Sequence, residues 1–396
     1  MTEDNGRHLP FNVPPVVGTE QTHIAEAIAR CHLSAGGDFT ARCCRWLEER
    51  TGSPKALLVH SATAALEMAA LLLEIEPGDE VIMPSFNFVS SANAVVLRGG
   101  TPVFVDIRPD TLNVNEAVLE DAVTSRTKAV VPVHYAGVPC EMDEISDIAE
   151  RYGLKVVEDA AQALGSTYRE RPAGNLGDLA ALSFHETKNL TSGEGGALLV
   201  NDAGSVQRAE ILRDKGTDRS RFFRGEVDKY SWVDLGSSYG LSELNAAFLW
   251  AQFGAAETLN ASRLRAWWLY HEALEPFEED GLIRRPSIPE HVRHNAHIYF
   301  VLLSGLDERT RVLQELNDRG ISAVFHYAPL HSSTGGRRYG RAHGSLAVTE
   351  DTADRLIRLP LWDGIGENQI LQVVEALAAS IGSRDRTATA AARHKK

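Results

Sequence analysis

Short apolar runs recur through the first half of the chain, and stretches able to form helices separate several of them. The runs Ala56–Val59, Glu80–Met83, Thr101–Asp106, Ala129–Val133, Lys155–Glu158, Ala180–Phe184 and Gly196–Val200 are too short for buried helices and rich in residues that favour strands. The intervening stretches Thr63–Leu73 and Met142–Arg151 carry no internal Pro or Gly and predict helices. Strand and helix in alternation restrict the chain to the α/β class, with a mostly parallel central sheet and helices on both faces. Sheets of this kind bind ligands beyond the carboxyl ends of their strands. Ser61, Phe88, Asp159 and Ser183 all lie at or just after such ends.

The chemistry-bearing residues gather at the same places. Val156-Val157-Glu158-Asp159 is an apolar strand that ends in an acid, followed by Gln162. Further on, Ser183-Phe184-His185-Glu186-Thr187-Lys188 runs into the glycine turn Gly193-Glu194-Gly195-Gly196. Alone, Asp159 reads as a turn acid and Lys188 as a surface lysine. Together they match the needs of pyridoxal phosphate. A lysine amine can hold the cofactor as a Schiff base and shuttle protons, and a carboxylate can keep the ring nitrogen protonated.

A phosphate needs a cradle, and His60-Ser61-Ala62-Thr63 opens the predicted helix after the first strand. Free N–H groups and the helix dipole at that point favour an anion, and the Ser61, Thr63 and Ser183 hydroxyls can add hydrogen bonds. An ordinary helix cap explains Ser61 equally well. Phe86 and Phe88 lie two apart, so in extended chain they share a face, and one can stack on a flat ring. The glycine turn is not a dinucleotide fingerprint, because it precedes a strand and opens no helix.

Longer segments carry a resemblance. Phe11-Asn12-Val13-Pro14-Pro15-Val16-Val17-Gly18, Val133-His134-Tyr135-Ala136-Gly137-Val138, Phe184–Asn189, Phe223-Arg224-Gly225, Val227-Asp228-Lys229-Tyr230 and Val324–His331 resemble the sugar aminotransferase family DegT/DnrJ/EryC1/StrS, across roughly residues 9–380. The resemblance implies the aspartate-aminotransferase-like (type I) fold. It implies Lys188 and Asp159 as catalytic residues, Lys188 bearing the cofactor and Asp159 partnering the pyridinium. Ser61, Ala62, Thr63, Phe88, Gln162 and Ser183 would complete the cofactor site, with Phe88 rather than Phe86 as the stacking aromatic. His185, Lys229, Tyr230, His326 and Tyr327 are the candidate substrate contacts.

The implied reaction moves the amino group of L-glutamate to C4 of dTDP-4-keto-6-deoxy-D-glucose. The product would be dTDP-4-amino-4,6-dideoxy-D-galactose or its gluco epimer, with 2-oxoglutarate released. A homodimer with active sites at the interface is also implied. In one departure, Gly240 stands where many relatives place an asparagine that reaches across the dimer. Two other readings use the same scaffold. A sugar dehydratase of this type replaces the lysine by histidine, and Lys188 is present here. A non-catalytic regulator would be expected to add a DNA-binding module, and no segment reads as one.

Composition sets the remaining bounds. A chain of 396 residues with 43% hydrophobic content can bury a large core. Its net charge of −14 disfavours nucleic acid and anionic membranes as partners. An anionic nucleotide sugar would then need local cations, and Arg213, Lys215, Arg219, Arg221, Arg224 and Lys229 supply a cluster. The four cysteines show no zinc spacing, so no metal site is expected, and they read as free thiols of a reducing compartment. Neither a signal peptide nor a membrane span is legible, which predicts a cytoplasmic protein.

The chain is expected to divide into a large cofactor-binding domain, 1–255, and a small C-terminal α/β domain, 256–381, with a disordered tail, 382–396. The long helical stretch Ser242–His271 would join the two. The small domain would hold strands Ile298–Leu303 and Ser322–Tyr327 and helices near Arg309–Arg319 and Glu367–Ser380.

Overall fold

The computed structural model describes residues 8–382. The start of the expected large domain, before residue 8, and the expected tail beyond 382 fall outside them. The main sheet has eight strands in the spatial order Lys55–Val59, Gly196–Val200, Leu179–Ser183, Lys155–Asp159, Thr127–Val130, Glu80–Pro84, Thr101–Val105 and Arg341–Ala342. All adjacent pairs are parallel except those made by Gly196–Val200, which runs antiparallel to both neighbours. Each predicted strand of the first half is present, with ends shifted by a few residues. Both faces are covered: one core gathers around Ala62–Leu72, and others lie beneath Asp38–Thr51 with Glu243–Gly254 and beneath Met142–Tyr152. The class is α/β with a mostly parallel sheet, as the alternation required.

One buried cluster locks the centre of the sheet. Glu158, fully enclosed, accepts hydrogen bonds from the N–H groups of Gly174, Leu176 and Gly177 at 2.8, 2.7 and 2.9 Å. The equally buried His134 ring lies 2.9 Å away through Nε2. His134 Nδ1 accepts from the Cys140 N–H, so Nε2 carries the proton that it donates to Glu158. Removing one member strands the others without water. Glu158→Ala is expected to destabilise the protein by roughly 3–5 kcal/mol, read as a fall in the urea midpoint with no change in slope. A loss below about 1 kcal/mol would contradict this.

The C-terminal half has its own core, built from Trp267, Tyr270, Tyr299, Val301, Leu316, Ile357 and the helix Glu367–Gly382. The expected joint is two helices, Glu243–Gly254 and Ala256–Ala273, meeting at Ala255. We propose a lobe boundary at this joint, with two segments crossing it. Leu9 packs into the C-terminal core, and Arg341–Ala342 adds an edge strand to the large sheet.

The expected strand Ser322–Tyr327 is not one. Within it only Val324 makes a bridge, to Arg358, and the bridge of Leu9 to Ile321 falls one residue before it, so its neighbours engage it one residue at a time. The partner of Tyr299–Leu302 is instead Leu356–Leu359, a strand the sequence reading did not anticipate. The loop from 324 to 331 is fixed to the large sheet at Ser85, whose carbonyl accepts from the Leu330 N–H and whose hydroxyl meets His331 Nδ1 at 2.7 Å. That attachment sets His326 and Tyr327 over the strand ends.

Candidate active site

A cavity of about 310 Å³ opens beyond the carboxyl ends of the parallel strands. Its lining includes Ser61, Ala62, Thr63, Phe88, Asp159, Gln162, Ser183, His185, Lys188, His326 and Tyr327. The sequence motifs therefore meet in one place, though they lie far apart in the chain.

The Lys188 backbone is held in a tight loop. Its N–H donates to the His185 carbonyl at 2.9 Å, and the Ser192 N–H closes back on the Phe184 carbonyl. Asn189 pins the loop from below by donating to the Asn295 carbonyl at 2.7 Å and meeting His297 Nδ1 at 2.9 Å. The lysine keeps a little exposure toward the cavity but is otherwise enclosed. Burial drives its pKa down to about 8, against the opposing pull of Asp159 and with help from the Arg358 charge.

This depression has a measurable consequence. The folded value lies below the unfolded one near 10.5, so the unfolded chain binds more protons between the two. The burial penalty is fully present below about pH 8 and fades as pH rises toward 10.5. Cofactor-free Lys188→Met protein should therefore exceed the cofactor-free parent in stability at pH 7 by up to about 3 kcal/mol. The gap should narrow toward pH 10 in paired urea titrations. A constant gap would contradict the assignment.

Asp159 ends its strand with the side chain buried. Ser91 Oγ donates to Oδ2 at 2.6 Å and the Ala161 N–H to Oδ1 at 3.3 Å, so both oxygens are oriented. Gln162 is fixed as well: Oε1 accepts from the Ala136 N–H at 2.8 Å, and Nε2 donates to the Tyr327 hydroxyl at 3.1 Å. Ser61 caps the helix Ala62–Leu72, its hydroxyl accepting from the Ala64 N–H at 3.1 Å. Among the described residues, the N–H groups of Ala62 and Thr63 have no hydrogen-bond partner. Gly196 runs hard against this turn: a Cβ there would lie 2.4 Å from the Ser61 carbonyl carbon. Only glycine allows that approach.

The two phenylalanines separate. Phe86 is buried between Tyr135 and Tyr327, while Phe88 caps the next helix and lines the cavity. The shared face expected of extended chain fails because the strand ends at Pro84. His185 stands at the cavity wall, its Nδ1 accepting from the Thr187 N–H and its Nε2 3.6 Å from Glu194.

Lys229 and Tyr230 are not brought to this cavity. They lie on an exposed stretch where Tyr230 packs against Phe222. The basic cluster expected to receive an anion does not line it either. Arg221 and Arg224 pair with Glu226, Arg224 also with Glu210, and Arg213 with Asp214. Gly240 also has a local reason: a Cβ there would lie 2.6 Å from the Ala35 methyl.

Several lining residues were not anticipated, namely Phe11, Asn87, His297 and Arg358. Asn87 is buried, its Oδ1 accepts from the Phe88 N–H, and its Nδ2 has no partner. His326 sits between Tyr135, whose hydroxyl is 3.1 Å from Nδ1, and Arg358, whose Nη1 is 3.3 Å from Nε2. A guanidinium only donates, so Nε2 accepts and Nδ1 carries the proton. Burial and the nearby Arg358 and Lys188 charges hold this imidazole well below its ordinary pKa, hence neutral.

The residues present fit pyridoxal phosphate. Unpaired N–H groups at a helix start suit its phosphate, an aromatic wall its ring, Asp159 its nitrogen and Lys188 its aldehyde. Such a set on such a sheet defines pyridoxal-phosphate-dependent aminotransferases of fold type I. The model of the DegT/DnrJ/EryC1/StrS aminotransferase family matches residues 16–378, and the chain belongs to that family of sugar aminotransferases.

A protein of Methanocaldococcus jannaschii, the uncharacterized MJ1066, is 34% identical over 376 residues, covering 93% of this chain and 96% of its own. Among solved structures, the candidate sugar aminotransferase Spr1654 of Streptococcus pneumoniae, in its PMP form, matches with a TM-score of 0.88 and 27% identity. That match covers 95% of this chain and all of that one. The aminotransferase TlmJ of Streptoalloteichus hindustanus matches at 0.87 with 28% identity, over 95% and 99% of the two chains. Among the described residues, no helix is long and apolar enough to cross a membrane.

Proposed function

We propose that the protein transfers the amino group of L-glutamate to C4 of a nucleotide-linked 4-keto-6-deoxyhexose. The acceptor is dTDP-4-keto-6-deoxy-D-glucose, and the product is dTDP-4-amino-4,6-dideoxy-D-galactose or its gluco epimer. The observation that carries the reading is the convergence of Lys188 and Asp159 on one cavity, beneath the loop that bears His326 and Tyr327. The motif likeness along the whole chain supports the choice of sugar.

Pyridoxal phosphate, when bound, supplies the electron sink that makes proton removal beside an amine feasible. Lys188 would hold it, then carry a proton from the donor Cα, and later deliver one to sugar C4. An amine with a pKa near 8 suits both directions at neutral pH. Asp159 would keep the ring nitrogen cationic. The Ala62 and Thr63 N–H groups with the Ser61, Thr63 and Ser183 hydroxyls would hold the phosphate. Gln162, braced at both ends, would limit movement of the ring.

His185, His326 and Tyr327 would meet the substrates from the same subunit. Lys229 and Tyr230 would act across a homodimer interface. The exposed apolar run Phe222, Phe223, Tyr230, Trp232, Val233 and Leu235 supports that pairing. The dimer would work in the cytoplasm.

The test is to incubate enzyme, L-glutamate and dTDP-4-keto-6-deoxyglucose, measure 2-oxoglutarate, and assign the C4 configuration of the product from NMR coupling constants. Formation of 2-oxoglutarate without an amino sugar would mean that the acceptor is wrong.

A further inference from the structure

His297 is held at its backbone and at one ring nitrogen, and the other ring nitrogen is spare. Its N–H donates to Asn295 Oδ1 at 3.1 Å, and its carbonyl accepts from Nη2 of the buried Arg263 at 2.8 Å. Ala296 beside it sits in the left-handed region at φ 53°, and Arg263 Nε donates to the Ala296 carbonyl at 3.2 Å. The ring itself is fixed by Asn189. That amide donates through Nδ2 to the Asn295 carbonyl at 2.7 Å and to Asn260 Oδ1 at 3.3 Å, so its Oδ1 accepts, and His297 Nδ1, 2.9 Å away, carries the proton. Nε2 is left as a bare lone pair. Among the described residues it meets no donor, and the ring lines the same cavity as Lys188. Burial first, then the nearby Lys188, Arg263 and Arg358 charges, holds this imidazole well below its ordinary pKa, hence neutral.

A neutral imidazole whose spare atom is a lone pair can only accept there. The Lys188 amine lines the same cavity, is felt as a charge at His297, and has no hydrogen-bond partner of its own among the described residues. The other cations nearby are engaged: Arg263 on the Ala296 and His297 carbonyls, and Arg358 on His326, itself neutral. We propose that His297 is a positioning residue: its Nε2 accepts a hydrogen bond from the Lys188 amine once a substrate amine has freed it, and so aims that amine at the reacting carbon. This inference rests on the aminotransferase reading and names the group that orients its base. An amine on a flexible four-carbon stem has no fixed direction for its lone pair. One N–H committed to a rigid acceptor sets that direction. Once it has taken a proton, the amine is an ammonium shut away from water, and the same acceptor takes one of its three N–H groups. His297 itself gains and loses no proton.

Two substitutions separate the ring nitrogens. His297→Asn puts an amide N–H near the place of Nδ1, which keeps the bond to Asn189 and removes the acceptor. His297→Gln puts a carbonyl oxygen near the place of Nε2, which keeps the acceptor and gives up the bond to Asn189. The cofactor-loaded proteins are mixed rapidly with L-glutamate at a series of concentrations, and bleaching is followed. In His297→Asn the maximal rate should fall by at least about 20-fold with the half-saturating concentration moved by less than about 3-fold, while His297→Gln should stay within about 5-fold of the parent. The second measurement uses cofactor-free protein, in which the Lys188 amine is already free. Its titration is followed by NMR of the lysine side chains, with Lys188→Met protein assigning the signal. An acceptor favours the ammonium form, so the amine, held at about 8 in the parent, should titrate lower in His297→Asn and near the parent value in His297→Gln.

A ring that only anchors the loop predicts the opposite order, with Gln impaired and Asn intact. That order, or equal effects in the two variants, would overturn the proposal, and so would a Lys188 titration that His297→Asn leaves unmoved. If His297→Asn does not fold, His297→Leu takes its place, because neither it nor His297→Gln bonds Asn189 and only the second keeps an acceptor. If the parent does not bleach with glutamate, the aminotransferase reading fails and this inference falls with it; if the parent bleaches and the order is reversed, only the His297 assignment falls.

Discussion

Lys188→Ala is expected to lower turnover by at least about 10⁴-fold, because in the proposed reaction one amine would both hold the cofactor and move the proton in each half. Loss on that scale does not require loss of folding. The Lys188 backbone is held by its own loop, and Asn189 and His297 anchor that loop without help from the lysine side chain. The variant should still unfold cooperatively, at a urea midpoint no lower than that of the cofactor-free parent, and still bind pyridoxamine phosphate through the groups of Ser61–Thr63, Ser183 and Asp159. A small amine such as ethylamine should restore part of the activity, since what is missing is a base at one point in an intact cavity. A loss of less than about 10-fold, or a variant that cannot be rescued and no longer binds the pyridoxamine form, would show that the lysine has a different job.

Asp159→Asn is expected to cost on the order of 10²–10³ in kcat. A carboxylate beside a cation favours the charged form by one to three pKa units, and removing it lets a ring nitrogen lose its proton at working pH. Asparagine keeps the size of the side chain and can still accept from Ser91 Oγ, which approaches Oδ2 at 2.6 Å. The change therefore tests charge rather than packing. The same substitution removes the charge that opposes burial at Lys188, so the amine of the cofactor-free variant should titrate below that of the parent. Activity within about 5-fold of the parent would remove Asp159 from the chemistry.

Much of this site was visible in the sequence because a parallel sheet collects ligands at one edge. Once the alternation of strands and helices was recognised, every polar residue just beyond a strand became a candidate. Ser61, Phe88, Asp159 and Ser183 all meet there. The harder cases were residues whose place depends on contacts distant in the chain. Arg358 was missed because Leu356-Ile357-Arg358-Leu359 is a short run interrupted by a charge, which reads as a surface turn until the strand Tyr299–Leu302 pairs with it. A charge inside an otherwise apolar tetrapeptide was the signal available.

Ser322–Tyr327 misled in the opposite direction. Its apolar and aromatic residues suit a strand, yet only Val324 finds a ladder partner, and the chain runs on into the loop fixed at Ser85. His297 and Asn87 are each flanked directly by apolar residues, Ala296 and Ile298 or Phe86 and Phe88, and no local pattern separates a cavity wall from a satisfied core position. Lys229 and Tyr230 show what one chain cannot supply, since their surroundings are solvent unless a second copy covers them.

The proposed reaction requires the Lys188 amine to carry the cofactor. Reducing the yellow holoenzyme with borohydride, digesting it and mapping the peptides by mass tests this directly. A single phosphopyridoxyl adduct is expected, on the peptide containing Lys188. An adduct on any other lysine, or none at all, would contradict it.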